Sequence, residues 1–504
     1  MKIFSFLLVS FIGSSFISFG QKIETPPSLK VDTSLAFIQF YSNNTIKKLA
    51  SHFENVNKDK LVFIHYGGSH IQAEYPTTVA RKKFHDRFGN GGRGLIFNYG
   101  AAKTYSSINY TSTFSGSWKY NKSYLGRKAD IPLGICGMTV ESIDTNAILK
   151  FNFKEEIVTS NHLIHLFFEN DSISNNIEIY FNNILIDDSI NQVIYKPYGL
   201  SFKWNQNIKS IELKVKSKTN GKRFRFYGMS IENEENTGIV YHSTGVGAAA
   251  FRSVLYLDEL PIQAEIVKPD IVLLDFGTND IIYTNSIDSK LESQIEKAIQ
   301  KFKTINPEIL IVLTSTQDLF YKGKPITAGI EFRDLMDTIA RKNDCLFWNW
   351  YDISGGLNTI RDWNKEGYAQ KDCIHLTKKG YEIKGKLLYD SFINSYNSYI
   401  NNKQINYLNI KGKTYDPTNN IDSSLLRNNT EIHNIKINTN NTQVDIDHQQ
   451  KIKTNKIHKV RSGETLSYIS EKNNVTVTDL KKENGLKSDI IHTGQILKIP
   501  SITK

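Results

Sequence analysis

Apolar and polar positions divide the chain into stretches of different period. Three runs are almost continuously apolar: residues 60–66, which lead into Gly67-Gly68-Ser69-His70, residues 271–276, which lead into Gly277-Thr278-Asn279-Asp280, and residues 309–313. Runs of this kind suit strands covered on both faces, the usual state in a parallel sheet. Residues 238–241 and 346–350 are weaker candidates of the same sort. Helical spacing lies over residues 35–53, 287–302 and 330–342. Strand–helix alternation of this kind predicts a three-layer α/β sandwich.

From about residue 116 to 237 the texture changes. Segments 147–153, 162–168, 176–181, 210–215 and 223–227 mostly alternate with period two, and clusters of Asn, Asp, Ser and Gly separate them. This predicts an antiparallel β-sandwich inserted between the first α/β strand and the rest. A carbohydrate-binding role and a purely structural cap are both open for it. Residues 401–456, dominated by Asn, Lys, Ile and Thr, hold no lasting hydrophobic period and read as a flexible linker. Regular patterning returns over residues 457–501.

At 504 residues the chain is long for one domain, and two or three folded units are expected. Residues 1–20 have the layout of a secretory signal: Lys2, an apolar stretch over 4–19, and the small-residue region Ser18-Phe19-Gly20. Cleavage near Gln21 would place the mature protein in the periplasm or at the cell surface. Gly13-Ser14-Ser15 interrupts the apolar stretch, and no later segment is apolar enough to span a membrane. Only Cys136, Cys345 and Cys373 are present, which excludes a disulfide-built scaffold. A Cys345–Cys373 bridge and three unpaired thiols are both open. No His/Cys spacing resembles a structural zinc site. The net charge of +11 suits either an acidic polymer as partner or a solvated Lys-rich surface. No basic helix interleaved with aromatics points to nucleic acid.

Four segments carry the candidate chemistry. Ser69 follows a buried strand through a glycine turn, at the sheet edge where open α/β folds bind ligands. Asn279 follows another such strand and offers a side-chain amide to an oxyanion. In Asp372-Cys373-Ile374-His375 the three-residue spacing lets the carboxylate reach one imidazole nitrogen while the other faces a serine. Tyr241-His-Ser-Thr-Gly-Val-Gly-Ala248 ends a strand in glycines whose N–H groups can join that of Ser69 as oxyanion donors, Gly245 first and Gly247 second. Read singly, each of these segments can be an ordinary turn or helix cap.

In this order the four segments resemble the SGNH (GDSL-type) hydrolase family, over about residues 58–115 and 238–398. The resemblance implies a flavodoxin-like domain over 21–115 and 238–400. Its hallmark residues would be Ser69, Gly245, Asn279 and His375, with Asp372 completing the triad and no metal or organic cofactor. One departure is plain: Gly68 stands where the family usually has Asp before the serine. Ser69 followed by His70, with a β-sandwich inserted after the first segment, looks like the bacterial peptidoglycan O-acetylesterases.

Residues 458–500 resemble a LysM domain, a βααβ unit that binds N-acetylglucosamine-containing glycans. Val460-Arg-Ser-Gly-Glu-Thr-Leu466, Leu480-Lys-Lys-Glu-Asn484 and Gly494-Gln-Ile-Leu-Lys-Ile-Pro500 carry the likeness. By that resemblance a sugar groove lies between Gly463, Glu464, Thr465 and Leu466 on one side and Ser488, Asp489, Ile490 and Ile491 on the other. A wall-binding tail beside an esterase site points to acetylated peptidoglycan as substrate. The rival expectations are a transferase passing acetyl to a glycan hydroxyl, an esterase of another polysaccharide, and a non-catalytic wall-binding protein.

Overall fold

The computed structural model of the protein describes residues 26–124, 131–159, 161–401, 457–460, 475–486 and 495–500, with Leu466, Ile469, Ser470 and Asn473. The expected signal segment and linker lie outside the described residues. The chain divides into two compact units, Met1–Asp416 and Pro417–Lys504.

The first unit is built on one long mixed sheet. Six of its strands run parallel: β1 (Leu61–Gly67), β2 (Asn90–Ile96), β3 (Ile239–Gly245), β4 (Ile271–Asp275), β5 (Leu310–Thr314) and β6 (Leu346–Trp348). Their spatial order is β2-β3-β1-β4-β5-β6. Without β2, the five remaining strands have the flavodoxin-like order. Every residue of β1, β3, β4 and β5 is buried, which accounts for the apolar runs of β1, β4 and β5, while β3 also buries His242, Ser243 and Thr244. Helices cover both faces. Helix Leu291–Ile305 buries Ile295, Ile299 and Phe302, and helix Ala328–Lys342 buries Phe332, Met336 and Ile339. Helix Asn43–Asn55 starts later than the spacing over residues 35–53 predicts. Ser42 accepts the Thr45 N–H and caps it, while Gln39 bridges to Phe347 at the sheet edge.

The period-two segments form a sandwich, but one of its two sheets is the parallel sheet continued. Strand Phe224–Asn233 pairs antiparallel with β2 and with His162–Phe168, and strand Gly199–Trp204 follows. A separate five-stranded antiparallel sheet, from Tyr110–Ser115 through Ile148–Ile157 and Ile208–Lys216 to Asn176–Phe181 and Ile184–Leu185, lies against this extension. Phe151 meets Phe226 at 6.1 Å between ring centroids, and Phe181 meets Phe202 and Trp204 at 5.4 Å. One hydrophobic core therefore runs from Ile64 beneath the parallel strands to Leu213 in the second sheet. The expected boundary at residue 116 falls immediately after strand Tyr110–Ser115, which belongs to the sandwich.

The second unit pairs Ile457–Lys459 antiparallel with Ile496–Lys498. Thr476 caps helix Val477–Glu483, and Val460, Leu466, Ile469, Leu480, Leu497 and Ile499 form a small core. The Asn484 amide donates to the carbonyls of Leu480 and Lys498 and accepts the Lys498 N–H, tying helix end to strand.

Candidate active site

Strands β1 and β4 are neighbours, and both release their chain at the same sheet edge. After β1 the backbone turns through Gly67 and Gly68 into the single helical turn Ser69–Gln72, which presents Ser69 half-buried. After β4, Gly277 leads into the turn Thr278–Ile281 that carries Asn279. The third contributor arrives from far along the chain, in the loop ahead of helix Lys378–Asn401.

Ser69, His375 and Asp372 meet in one hydrogen-bonded line. The Ser69 Oγ lies 2.8 Å from His375 Nε2, and His375 Nδ1 lies 2.7 Å from Asp372 Oδ2. Asp372 Oδ1 also accepts the backbone N–H groups of Ile374 and His375, at 2.9 and 3.0 Å. Burial opposes ionisation of Asp372, but the His375 ring and these N–H groups outweigh it and hold the carboxyl below its ordinary range. An ionised carboxylate fixes the proton on Nδ1, which leaves Nε2 free to take the serine proton. The side chains of His375 and Asp372 are 32% and 40% exposed, so the line lies on an open shelf that a polymer can reach.

The Asn279 amide donates one hydrogen to the Ala249 carbonyl at 3.0 Å, which leaves its second hydrogen available. Asp280 joins this turn to the glycine segment: its carboxylate accepts the Gly277 N–H at 3.0 Å and the Phe251 N–H at 3.1 Å. Burial pushes the Asp280 carboxyl up to about 6, against the pull of those N–H groups.

The two glycine candidates are placed differently. Gly245 is buried at the end of β3, where a Cβ would stand 2.1 Å from the Gln72 nitrogen, so only glycine allows helix and strand to approach this closely. Gly247 is half-exposed, and its N–H donates to Gln72 Oε1 at 2.5 Å. Gln72 is itself held through donation to the Thr104 hydroxyl and the Tyr105 carbonyl, both at 2.8 Å. A side chain at Gly68 would place its Cβ 3.2 Å from Asn279 Nδ2 and 3.3 Å from the Ala249 carbonyl. The Gly68 departure therefore touches the amide donor directly.

Beside the Ser69–His375–Asp372 line lies a polar layer to which sequence reading assigned no role. His70 is buried, its ring centroid 5.1 Å from that of His375. Its Nδ1 lies 2.9 Å from the Tyr381 hydroxyl and its Nε2 lies 3.3 Å from Gln317 Nε2. The same Gln317 amide donates to the Ile374 carbonyl at 2.8 Å, and Gln317 Oε1 accepts from Trp350 Nε1. Because Gln317 Nε2 only donates, His70 Nε2 must accept and its proton sits on Nδ1. Burial, followed by the charges of His375 and Lys384, pushes the His70 imidazolium well below its usual range, so it stays neutral. Deeper still, Asp275 pairs with Lys384 at 2.8 Å and with His65 at 3.2 Å. Burial disfavours the Asp275 charge, yet Lys384 and His65 hold its carboxyl far below the usual range. His70 was visible as a neighbour of Ser69. Gln317 and Lys384 sit outside every motif and offered no signal.

Cys136, Cys345 and Cys373 are all free thiols. Among the described residues no helix is long and apolar enough to cross a membrane. Of the eight residues expected to line a LysM groove, Gly463, Glu464, Thr465, Ser488, Asp489, Ile490 and Ile491 lie outside the described residues. Leu466 is a core side chain, 2% exposed.

Residues 223–383 match the model of the GDSL-like Lipase/Acylhydrolase family, and residues 458–500 match that of the LysM domain. The first match covers the glycine segment, Asn279, Asp372 and His375, but not Ser69. A solved structure of a peptidoglycan O-acetylesterase superposes with a TM-score of 0.59 at 18% identity, over 72% of this chain and 99% of that one. That likeness is one of fold. The probable peptidoglycan endopeptidase LytE of Bacillus subtilis (strain 168) is 50% identical over 46 residues. Those residues are 9% of this chain and 14% of LytE, so this likeness covers a single small domain.

Proposed function

We propose that this chain, which carries a GDSL-like acylhydrolase domain and a LysM domain, is an exported esterase that removes O-acetyl groups from peptidoglycan. The observation that carries the reading is the Ser69–His375–Asp372 line, with contacts of 2.8 and 2.7 Å, beside the Asn279 amide.

Ser69 Oγ attacks the acetyl carbonyl while His375 Nε2 takes its proton, and Asp372 stabilises the imidazolium. The oxyanion is met by the Ser69 N–H, the free Asn279 hydrogen and an N–H of the glycine segment. Gly245 is the first choice from sequence and Gly247 the second, and the Gly247 N–H is already donated to Gln72 Oε1. Each such donor is worth about 3–4 kcal/mol of barrier. Collapse breaks the ester bond, His375 protonates the departing sugar oxygen, and the acetyl group stays on Ser69. Water, deprotonated by His375, then releases acetate.

The substrate follows from the second unit. A LysM domain, whose sugar-binding residues we propose from the family resemblance as Gly463–Thr465 and Ser488–Ile491, would hold the enzyme on glycan and raise its effective concentration there. Residues 1–20 would direct export to the periplasm or cell surface, where that polymer lies.

Acetate release from O-acetylated peptidoglycan tests the reading. Wild type should release acetate, and Ser69→Ala should lose at least a thousand-fold of the rate. Equal release by both would overturn it, and transfer of acetyl to a glycan acceptor in preference to water would make the protein a transferase.

A further inference from the structure

Lys103 and Lys122 converge on one aromatic ring, and among the described residues no carboxylate pairs with either. Their ammonium groups lie 5.9 and 5.2 Å from the ring centroid of Tyr120, and that of Lys122 is also 5.7 Å from Tyr124. Neither lysine forms an ion pair among the described residues, whereas Lys60, Lys150, Lys203 and Lys214 all do. Partial burial alone displaces the Lys122 ammonium, lowering it from its ordinary range, where a nearby carboxylate would have raised it. Contact with an aromatic face holds a cation in place without neutralising it. Two like charges gathered in this way repel each other, and an anion between them would relieve the repulsion.

The loop that carries Lys103 is tied to the Ser69 turn. Lys103 sits in the loop that also carries Thr104 and Tyr105, with a left-handed backbone (φ 49°) closed by its N–H donating to the Gly100 carbonyl. The Tyr105 hydroxyl donates to the Ser69 carbonyl at 3.2 Å, and the Gln72 amide ties Thr104 and Tyr105 to the helical turn of the nucleophile. Tyr105, Tyr120 and Tyr124 are 47%, 38% and 37% exposed, so the rings, linked through Lys103, form an exposed strip with the loop tied to Ser69.

We infer that this strip binds the carboxylate-bearing peptides of peptidoglycan, with Lys103 and Lys122 meeting the carboxylates and Tyr105 packing on the adjoining sugar. The inference rests on the esterase reading above and sharpens it: the enzyme selects peptide-bearing glycan over bare glycan. An acetylated polysaccharide without carboxylates would gain nothing from two ammonium groups that have no carboxylate partner among the described residues.

The full chain and its Lys103→Ala/Lys122→Ala variant should be compared on three acetyl esters. These are O-acetylated peptidoglycan, the same polymer stripped of its peptides by an amidase, and 4-nitrophenyl acetate. For the variant, KM on the peptide-bearing polymer should rise roughly three- to ten-fold at unchanged kcat, as expected for lost charge-assisted contacts. The other two substrates should be hydrolysed as by wild type, and the difference should shrink in high salt. An unchanged KM on the peptide-bearing polymer, or an equal rise on the stripped one, overturns the inference. Wild-type hydrolysis of 4-nitrophenyl acetate without acetate release from either polymer would instead overturn the peptidoglycan reading itself.

Discussion

Gln317 shows how much of the candidate site depends on a side chain set behind His70 and His375. Its amide spans His70 Nε2 and the Ile374 carbonyl, and so fixes the loop that aims His375 at Ser69. Gln317→Ala should lower kcat about ten-fold with little change in KM, since misplacement of the base weakens the reaction more than binding. Measured kcat and KM on 4-nitrophenyl acetate check this. A loss confined to KM would assign Gln317 to substrate binding. Asp270 permits a cleaner test of charge. Its carboxyl accepts the Val62 N–H at 2.8 Å, and burial pushes it up to about 6 from an ordinary 3.8. The folded state therefore keeps a proton that the unfolded chain gives up near pH 4, and the stability due to this group is lost as pH rises from about 4 to 6. Asp270→Asn accepts the same N–H and cannot ionise. Relative to wild type it should be unchanged at pH 4 and more stable above pH 6, on the order of 1 kcal/mol after allowance for partial exposure. Denaturant melts at the two pH values measure the difference.

At the scale of elements, helix Lys378–Asn401 is pinned to the sheet by charge as well as by apolar contact. Leu387, Leu388 and Phe392 supply the apolar side, and the Lys384–Asp275 pair joins the helix to the end of β4, from which the Asn279 turn springs. Lys384→Met keeps the packing volume and leaves Asp275 buried without its cationic partner, held only by His65 and the Thr314 hydroxyl, both at 3.2 Å. It should destabilise the fold by about 3–5 kcal/mol. Asp275→Asn added to Lys384→Met should recover much of that loss, and an unrecovered double variant would show that packing, not charge, is at stake. The same scale explains what could be read in advance. β1, β4 and β5 were legible because burial on both faces makes them apolar throughout. β2 was not: Asn90-Gly-Gly-Arg-Gly-Leu-Ile96 has neither alternation nor an apolar run. Its glycines answer a need that only the fold reveals. A Cβ at Gly92 would stand 2.4 Å from the Glu232 Cα, and one at Gly94 would stand 2.9 Å from the His242 ring. Lys384 was hidden for a related reason, since a lysine on a helix ordinarily signifies solvent.

For the first unit as a whole, the unread strand is the one that matters most. β2 lies parallel to β3 on one side and antiparallel to Phe224–Asn233 on the other, and so converts an expected insertion into a continuation of the catalytic sheet. Sequence texture correctly separated the period-two region from the apolar runs but drew a border where the hydrogen bonding has none. The residues of the Ser69–His375–Asp372 line could be singled out because the proposed chemistry limits which residues can take part and at what spacing. The supporting layer could not, because many side chains can satisfy a buried hydrogen bond.

The Ser69–His375 contact joins residues 306 positions apart. At a synthesis rate of roughly 5–20 residues per second, the proposed nucleophile exists for about 15 to 60 s before its proposed base has been made. No fragment short of His375 can hydrolyse an ester by this route, however well its own strands have folded. The separation thus acts as a delay built into biogenesis, and it keeps the growing chain chemically silent until the catalytic unit is almost complete.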